Sequence, residues 1–138
     1  MQRSIASIIA EVEKETDPNK QAEILKKNSS STLKTIIGYS MDPTVNWLLP
    51  EGDPPYRPIA KGTDQEGRLY ADARRLMYFI NTPEGLEVKP IRREMLFIEF
   101  LESIDADDAK LILRCKNKAL NISVEAVKIA FPGISANW

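Results

Sequence analysis

An all-α fold follows from three observations. Apolar residues recur at helical rather than strand spacing, caps and helix-starting prolines punctuate the chain, and Val-rich alternation is nowhere sustained. The expected architecture is one compact domain over residues 1–138, a bundle of six or seven short helices with a long proline-rich irregular connection in its middle. Residues 1–49 supply the N-terminal helices, 50–67 the connection and 68–138 the C-terminal helices.

The first helix is read from Ile5, Ile8, Ile9 and Val12, one apolar stripe behind Ser4 as N-cap. Asp17-Pro18 is a cap followed by proline at the first helical position, where a missing N–H costs nothing. It opens a second helix with Ala22, Ile24 and Leu25 inward and Lys20, Lys26 and Lys27 outward, ending at Asn28-Ser29-Ser30. Ser31 opens a third through Leu33, Ile36, Ile37 and Met41. Asp42-Pro43 repeats the cap-and-proline device and starts a short turn holding Val45, Trp47, Leu48 and Leu49, which Pro50 stops.

Residues 50–67 break the pattern. Pro50, Pro54, Pro55 and Pro58 with Gly52, Gly62 and Gly67 leave no room for a helix or a paired strand. A connection of that length is a functional loop, a linker, or a strap laid over the surface. Beyond it, Leu69, Tyr70, Ala73, Leu76, Met77 and Ile80 form a helical stripe, and Asn81 to Gly85 turns the chain. The most apolar helix spans 90–104, with Ile91, Met95, Leu96, Phe97, Ile98, Phe100, Leu101 and Ile104. It is read as buried on most sides and central to the core. A helix from Asp105 to Lys118 has aspartates at its start and cations at its end, the order the helix dipole favours. A last helix from Ser123 presents Val124, Val127 and Phe131 and closes at Pro132-Gly133.

Composition narrows the chemistry. A net charge of −1 supplies no overall basic field for gripping nucleic acid, leaving only local patches. The absence of histidine removes histidine triads, histidine zinc sites and histidine general bases. Cys115 stands alone, so no internal disulfide forms and a reducing compartment is expected. Apolar runs such as Leu111-Ile112-Leu113 fall far below the roughly 20 residues of a membrane span. The N-terminus alternates apolar and acidic residues, unlike a signal peptide. An intracellular protein without a membrane partner is therefore expected. Phosphate-loop, dinucleotide and nucleophile-elbow motifs are missing. No cofactor, metal or catalytic residue is expected. Any enzyme here would have to work with carboxylates, lysine, tyrosine, hydroxyls or a bound metal, and a non-enzyme is the better reading.

Several clusters remain. For Asp105, Asp107 and Asp108 the calcium-loop spacing fails, since Lys110 stands where glycine is required and Lys116 where glutamate is; helix capping accounts for them. Cys115, with no histidine to activate it, reads as buried and structural. The pairs Arg74-Arg75 and Arg92-Arg93 stand out, the second in the first turn of a helix, where the dipole disfavours cations. It would hold a phosphate or carboxylate, or pair with Glu84, Glu87 or Glu94. Trp47, Tyr56 and Arg57 are residue types that dominate binding hot spots, here on chain that loses little entropy on binding. Trp47, Tyr56, Arg57, Arg74, Arg75, Arg92 and Arg93 are thus the expected face for a protein partner. One alternative is that Trp47, Leu48 and Leu49 merely cap the core. Another is nucleic-acid binding by the arginine pairs with Arg114, Lys116 and Lys118, an end with no interleaved aromatic that otherwise reads as a solvated helix terminus.

Two stretches and the chain's end are distinctive together. They are Asp42-Pro43-Thr44-Val45-Asn46-Trp47-Leu48-Leu49-Pro50-Glu51-Gly52-Asp53-Pro54-Pro55-Tyr56, then Arg92 to Ile104 followed by Asp107-Asp108-Ala109-Lys110-Leu111, and finally Ala130-Phe131-Pro132-Gly133. Across residues 21–134 the chain resembles a family of small uncharacterised proteins of T4-like tailed bacteriophages, cyanophages included. The resemblance implies expression in the cytoplasm of an infected bacterium, with the virion as the other location, and carries over no catalytic residue. The expected function is that of a non-enzymatic phage accessory protein that binds a host or phage macromolecule, with nucleic-acid binding and a structural role in the virion as alternatives.

Overall fold

Residues 3–59, 67–135 and 138 are described by the computed structural model. Among them are eight α-helices, one 3-10 helix and a single antiparallel bridge, between Trp47 and Ile80. The expected all-α bundle of short helices is what the chain forms. Helices α1 (Ile5–Lys14), α2 (Pro18–Lys27) and α3 (Ser31–Met41) begin where the caps predict. Ser4, Asp17 and Ser30 each accept a hydrogen bond from a first-turn N–H, and Pro18 occupies the first helical position of α2.

After α3 the sequence reading needs correction. No helical turn forms over Val45 to Leu49. Asp42 Oδ1 accepts from the Thr44 N–H at 2.8 Å, and the chain then runs extended, with Leu48 N donating to Phe79 O at 2.8 Å. The stripe from Leu69 divides into α4 (Arg68–Asp72) and a 3-10 helix, Ala73–Phe79. The expected turn at 81–85 becomes a helix, α5 (Pro83–Glu87), with Thr82 as N-cap and Pro83 first. Helices α6 (Pro90–Ser103), α7 (Ala106–Lys116) and α8 (Val124–Ala130) follow within a residue or two of expectation. Gly62 and residues 60–66 of the connection lie outside the described residues.

The centre of the core is α7, not α6. Helix α7 packs against α1, α3 and α6 and buries Ala109, Leu111, Ile112, Leu113 and Cys115. Helix α6 buries Phe97, Phe100 and Leu101, while Ile91 is 74% and Met95 51% exposed. Its apolar content misled because those residues spread around the helix and only one arc faces the core. Phe79 stacks edge-on against Phe97 and Phe100, with ring centroids 5.0 and 6.0 Å apart, which fixes the 3-10 helix on α6. On the far side, α2 pairs with α8.

The aspartates at the start of α7 are used differently from expectation. Asp105 takes the N-cap position but makes no side-chain cap bond. Asp108 is buried and accepts from the Ala6 N–H at 3.0 Å, so it caps the neighbouring α1 rather than its own helix. Burial raises its carboxyl pKa; the Ala6 bond acts the other way, and Asp105 and Asp107 add to the rise. The folded state therefore holds this proton to higher pH than the unfolded chain, and stability falls as pH rises from the ordinary carboxylate value through the raised one. Asp108→Asn keeps the acceptor without the charge. It is expected to be at least as stable as the native protein at neutral pH and to flatten that slope, whereas Asp108→Ala loses about 1–2 kcal/mol with the bond. Urea midpoints across the acidic-to-neutral range check this; an asparagine variant clearly weakened at neutral pH would contradict it.

Candidate functional site

The proline-rich strap grips its own domain over its described part. Trp47 is half-buried, donates from Nε1 to Tyr39 O at 3.0 Å and meets Phe97 edge-on. Asn46 and Asn81 exchange hydrogen bonds of 2.9 and 3.0 Å, and Asn81 Nδ2 donates to Thr44 O. Farther along, Tyr56 packs on the core, and Arg57 donates its backbone N–H to Glu102 Oε2 at 2.7 Å. Trp47 and Tyr56 are therefore occupied internally; of the three strap residues expected at a partner face, Arg57 alone is exposed.

The cations at the end of α7 hold this arrangement together, and Lys116 is buried where the sequence predicts a solvated helix end. Lys116 is only 8% exposed and its Nζ donates to Gly52 O at 2.9 Å. Lys118 Nζ donates to Asp42 O and Val45 O at 3.0 and 2.6 Å. Lys118 also adopts φ +54°, closing α7 in a Schellman pattern with Ala119 N on Arg114 O and Lys118 N on Cys115 O. Glycine usually fills that position; the two Nζ bonds offset the strain of a side chain there. Arg114 forks onto Glu13, whose Oε2 also accepts from the Asn121 N–H. Burial opposes the charge on Glu13, but Arg114 and Asn121 outweigh it and hold that carboxyl below its usual range. These amines and the guanidinium bond the protein's own carbonyls and carboxylate; Lys116 is buried there, while Lys118 and Arg114 keep exposed surface.

Arg93 is corrected as well. It is 7% exposed and its guanidinium donates to three backbone carbonyls, Leu48 O at 3.2 Å and Gly85 O and Val88 O at 2.8 Å each. It ties the strap and the end of α5 to α6 and offers nothing to a partner. Its neighbour Arg92 is exposed and lines a groove of 870 Å³ between the 3-10 helix and α6. Arg75, on the 3-10 helix, lines the same groove, so one member of each arginine pair borders it. Arg74 is exposed but is not part of the lining.

The groove has an apolar floor from Phe79, Val88, Leu96 and Phe100, and a polar rim of Arg75, Lys89, Arg92, Glu87 and Glu99 with Tyr78. Among the described residues, none of its three cations forms an ion pair. Tyr78, Lys89, Leu96 and Glu99 were not among the expected site residues. Their signal was the helical spacing of Arg92, Leu96 and Glu99 along one edge of α6. With about 3.6 residues per turn, that edge lies opposite Glu94, Phe97 and Ile98, which face the strap across a second cavity of 410 Å³. The strap and the groove's Arg75 and Arg92 therefore do not share one face, because α6 stands between them.

Cys115 is buried as expected. Its thiol is pushed up to about 12 by desolvation and donates to Ile36 O at 3.3 Å. Among the described residues no three Asp, Glu or Cys side chains converge as metal ligands would, and no helix is long and apolar enough to cross a membrane.

A family of unknown function, DUF6433, matches residues 8–122. The chain belongs to this family. No curated protein and no solved structure matches it. The DUF6433 match takes in the strap, both walls of the groove and all of α7, together with the internal bonds of Arg93, Lys116 and Lys118.

Proposed function

We propose that this DUF6433 protein is a non-enzymatic accessory protein of a tailed phage that works in the infected bacterium by binding a host or phage protein. The groove between the 3-10 helix and α6 is its contact surface. The observation that carries this is that Arg75 and Arg92 line one groove together with Tyr78 and the apolar Phe79, Val88, Leu96 and Phe100. Guanidinium groups and an exposed phenol around apolar walls are the ingredients of a binding hot spot. The phage setting is supported by the sequence resemblance. The residues most suited to reaction chemistry are spent on the fold: Cys115 is buried and protonated, and Lys116 holds the strap. The strap's own anchors leave the groove as the better-supported surface.

A photo-crosslinking amino acid in place of Tyr78 tests the reading in phage-infected cells. A discrete heterologous adduct is expected from position 78, weakened in an Arg75→Glu background, which leaves Arg92 and Glu99 unchanged, and absent when the crosslinker replaces the exposed Ser29. Equal labelling from both positions, or none from position 78, would refute it.

A further inference from the structure

We infer that α6 pairs antiparallel with α6 of a second copy of this chain, giving a two-fold dimer. This goes beyond the proposed function: its apolar seam is the outer arc of the helix rather than the groove floor, and it shares only Arg92 and Glu99 with the groove's rim. Ile91 and Met95 are the most exposed large apolar residues of α6, and half-buried Ile98, at the border with the strap-side cavity, continues their line at a spacing of four and then three. That spacing is the seam of a paired helix.

Charge names the occupant. Arg92 and Glu99 occupy equivalent positions seven residues apart, each directly following a seam residue. Within α6 neither has an opposite charge three or four residues away, and among the described residues neither forms an ion pair. The distribution also runs against the helix dipole. Lys89 and Arg92 sit at the N-terminus and Glu99 and Glu102 in the second half, the reverse of α7, whose aspartates lead and whose cations follow. An antiparallel partner removes both anomalies. It sets Arg92 against the other copy's Glu99, and Glu99 against its Arg92, while opposing the two dipoles. Symmetry makes the contact self-complementary, as a two-fold interface requires. Three seam side chains are few beside the roughly 800 Å² per partner of a stable interface. Association is therefore concentration-dependent rather than obligate.

Sedimentation equilibrium of the full chain over a wide concentration range is the test. The native protein is expected to dimerise reversibly, and Met95→Asp to stay monomeric. Arg92→Glu and Glu99→Arg should each weaken the dimer by about tenfold or more, and the double variant should recover most of the loss, because each swapped charge then meets its swapped mate. All four substituted chains should keep the native helical signal, since the changed side chains are solvent-facing. A monomer at every concentration, or a double variant no better than the singles, would overturn the pairing. Tyr78 crosslinking to a heterologous protein stands or falls separately.

Discussion

Gly85→Ala is expected to destabilise the protein by about 4 kcal/mol or more, enough to leave a domain of ordinary stability largely unfolded. Local preference argues the other way. Gly85 lies inside α5, where alanine is favoured over glycine by about 1 kcal/mol. Packing decides the sign. A Cβ built there falls 2.0 Å from Ile80 O and 2.9 Å from Met77 O, both backbone atoms of the preceding segment, so no side-chain rotation relieves the clash. The backbone would have to move, taking with it the Thr82 cap on Gly85 N and the Arg93 bond to Gly85 O. Urea unfolding followed by circular dichroism measures the loss. A variant as stable as the native chain would mean that α5 does not approach Ile80 so closely.

Local signals proved legible because they act over one turn of chain. Ser4 and Asp17 cap the helices they precede, as expected, and the stripe Ile5, Ile8, Ile9, Val12 is wholly buried. Thr82-Pro83 carries the same cap-and-proline signal as Asp17-Pro18, yet α5 forms where the expectation for 81–85 is a turn. What the sequence could not convey is where a charged side chain goes once the chain has closed on itself. Arg93, Lys116 and Asp108 belong to residue types that are almost always solvated, yet each is buried on a backbone partner between 8 and 102 residues away. Helix α6 failed for a related reason: its apolar residues exceed the arc its neighbours can cover, so Ile91 and Met95 face outward.

That burial makes Arg93 the second large effect expected. Arg93→Met fills much of the same space but removes donors to Leu48 O, Gly85 O and Val88 O in one step. Taking a charge out of the interior recovers desolvation energy, which by itself would favour methionine. Three orphaned carbonyls at about 1–3 kcal/mol each outweigh that gain, for a net loss of about 3 kcal/mol. Arg93→Lys keeps the charge but not the fork, so one ammonium cannot satisfy carbonyls on both the strap and α5; about half that loss is expected. The local consequence separates this account from a general loss of packing. Leu48 N donates to Phe79 O and Asn81 N to Asn46 O, and both bonds depend on the strap staying seated beside the guanidinium. In Arg93→Lys, hydrogen exchange at these two amides should accelerate well beyond the change in global stability, while amides in α1 and α2 exchange in proportion to it. Uniform acceleration throughout the chain would assign Arg93 to bulk packing and detach it from the strap.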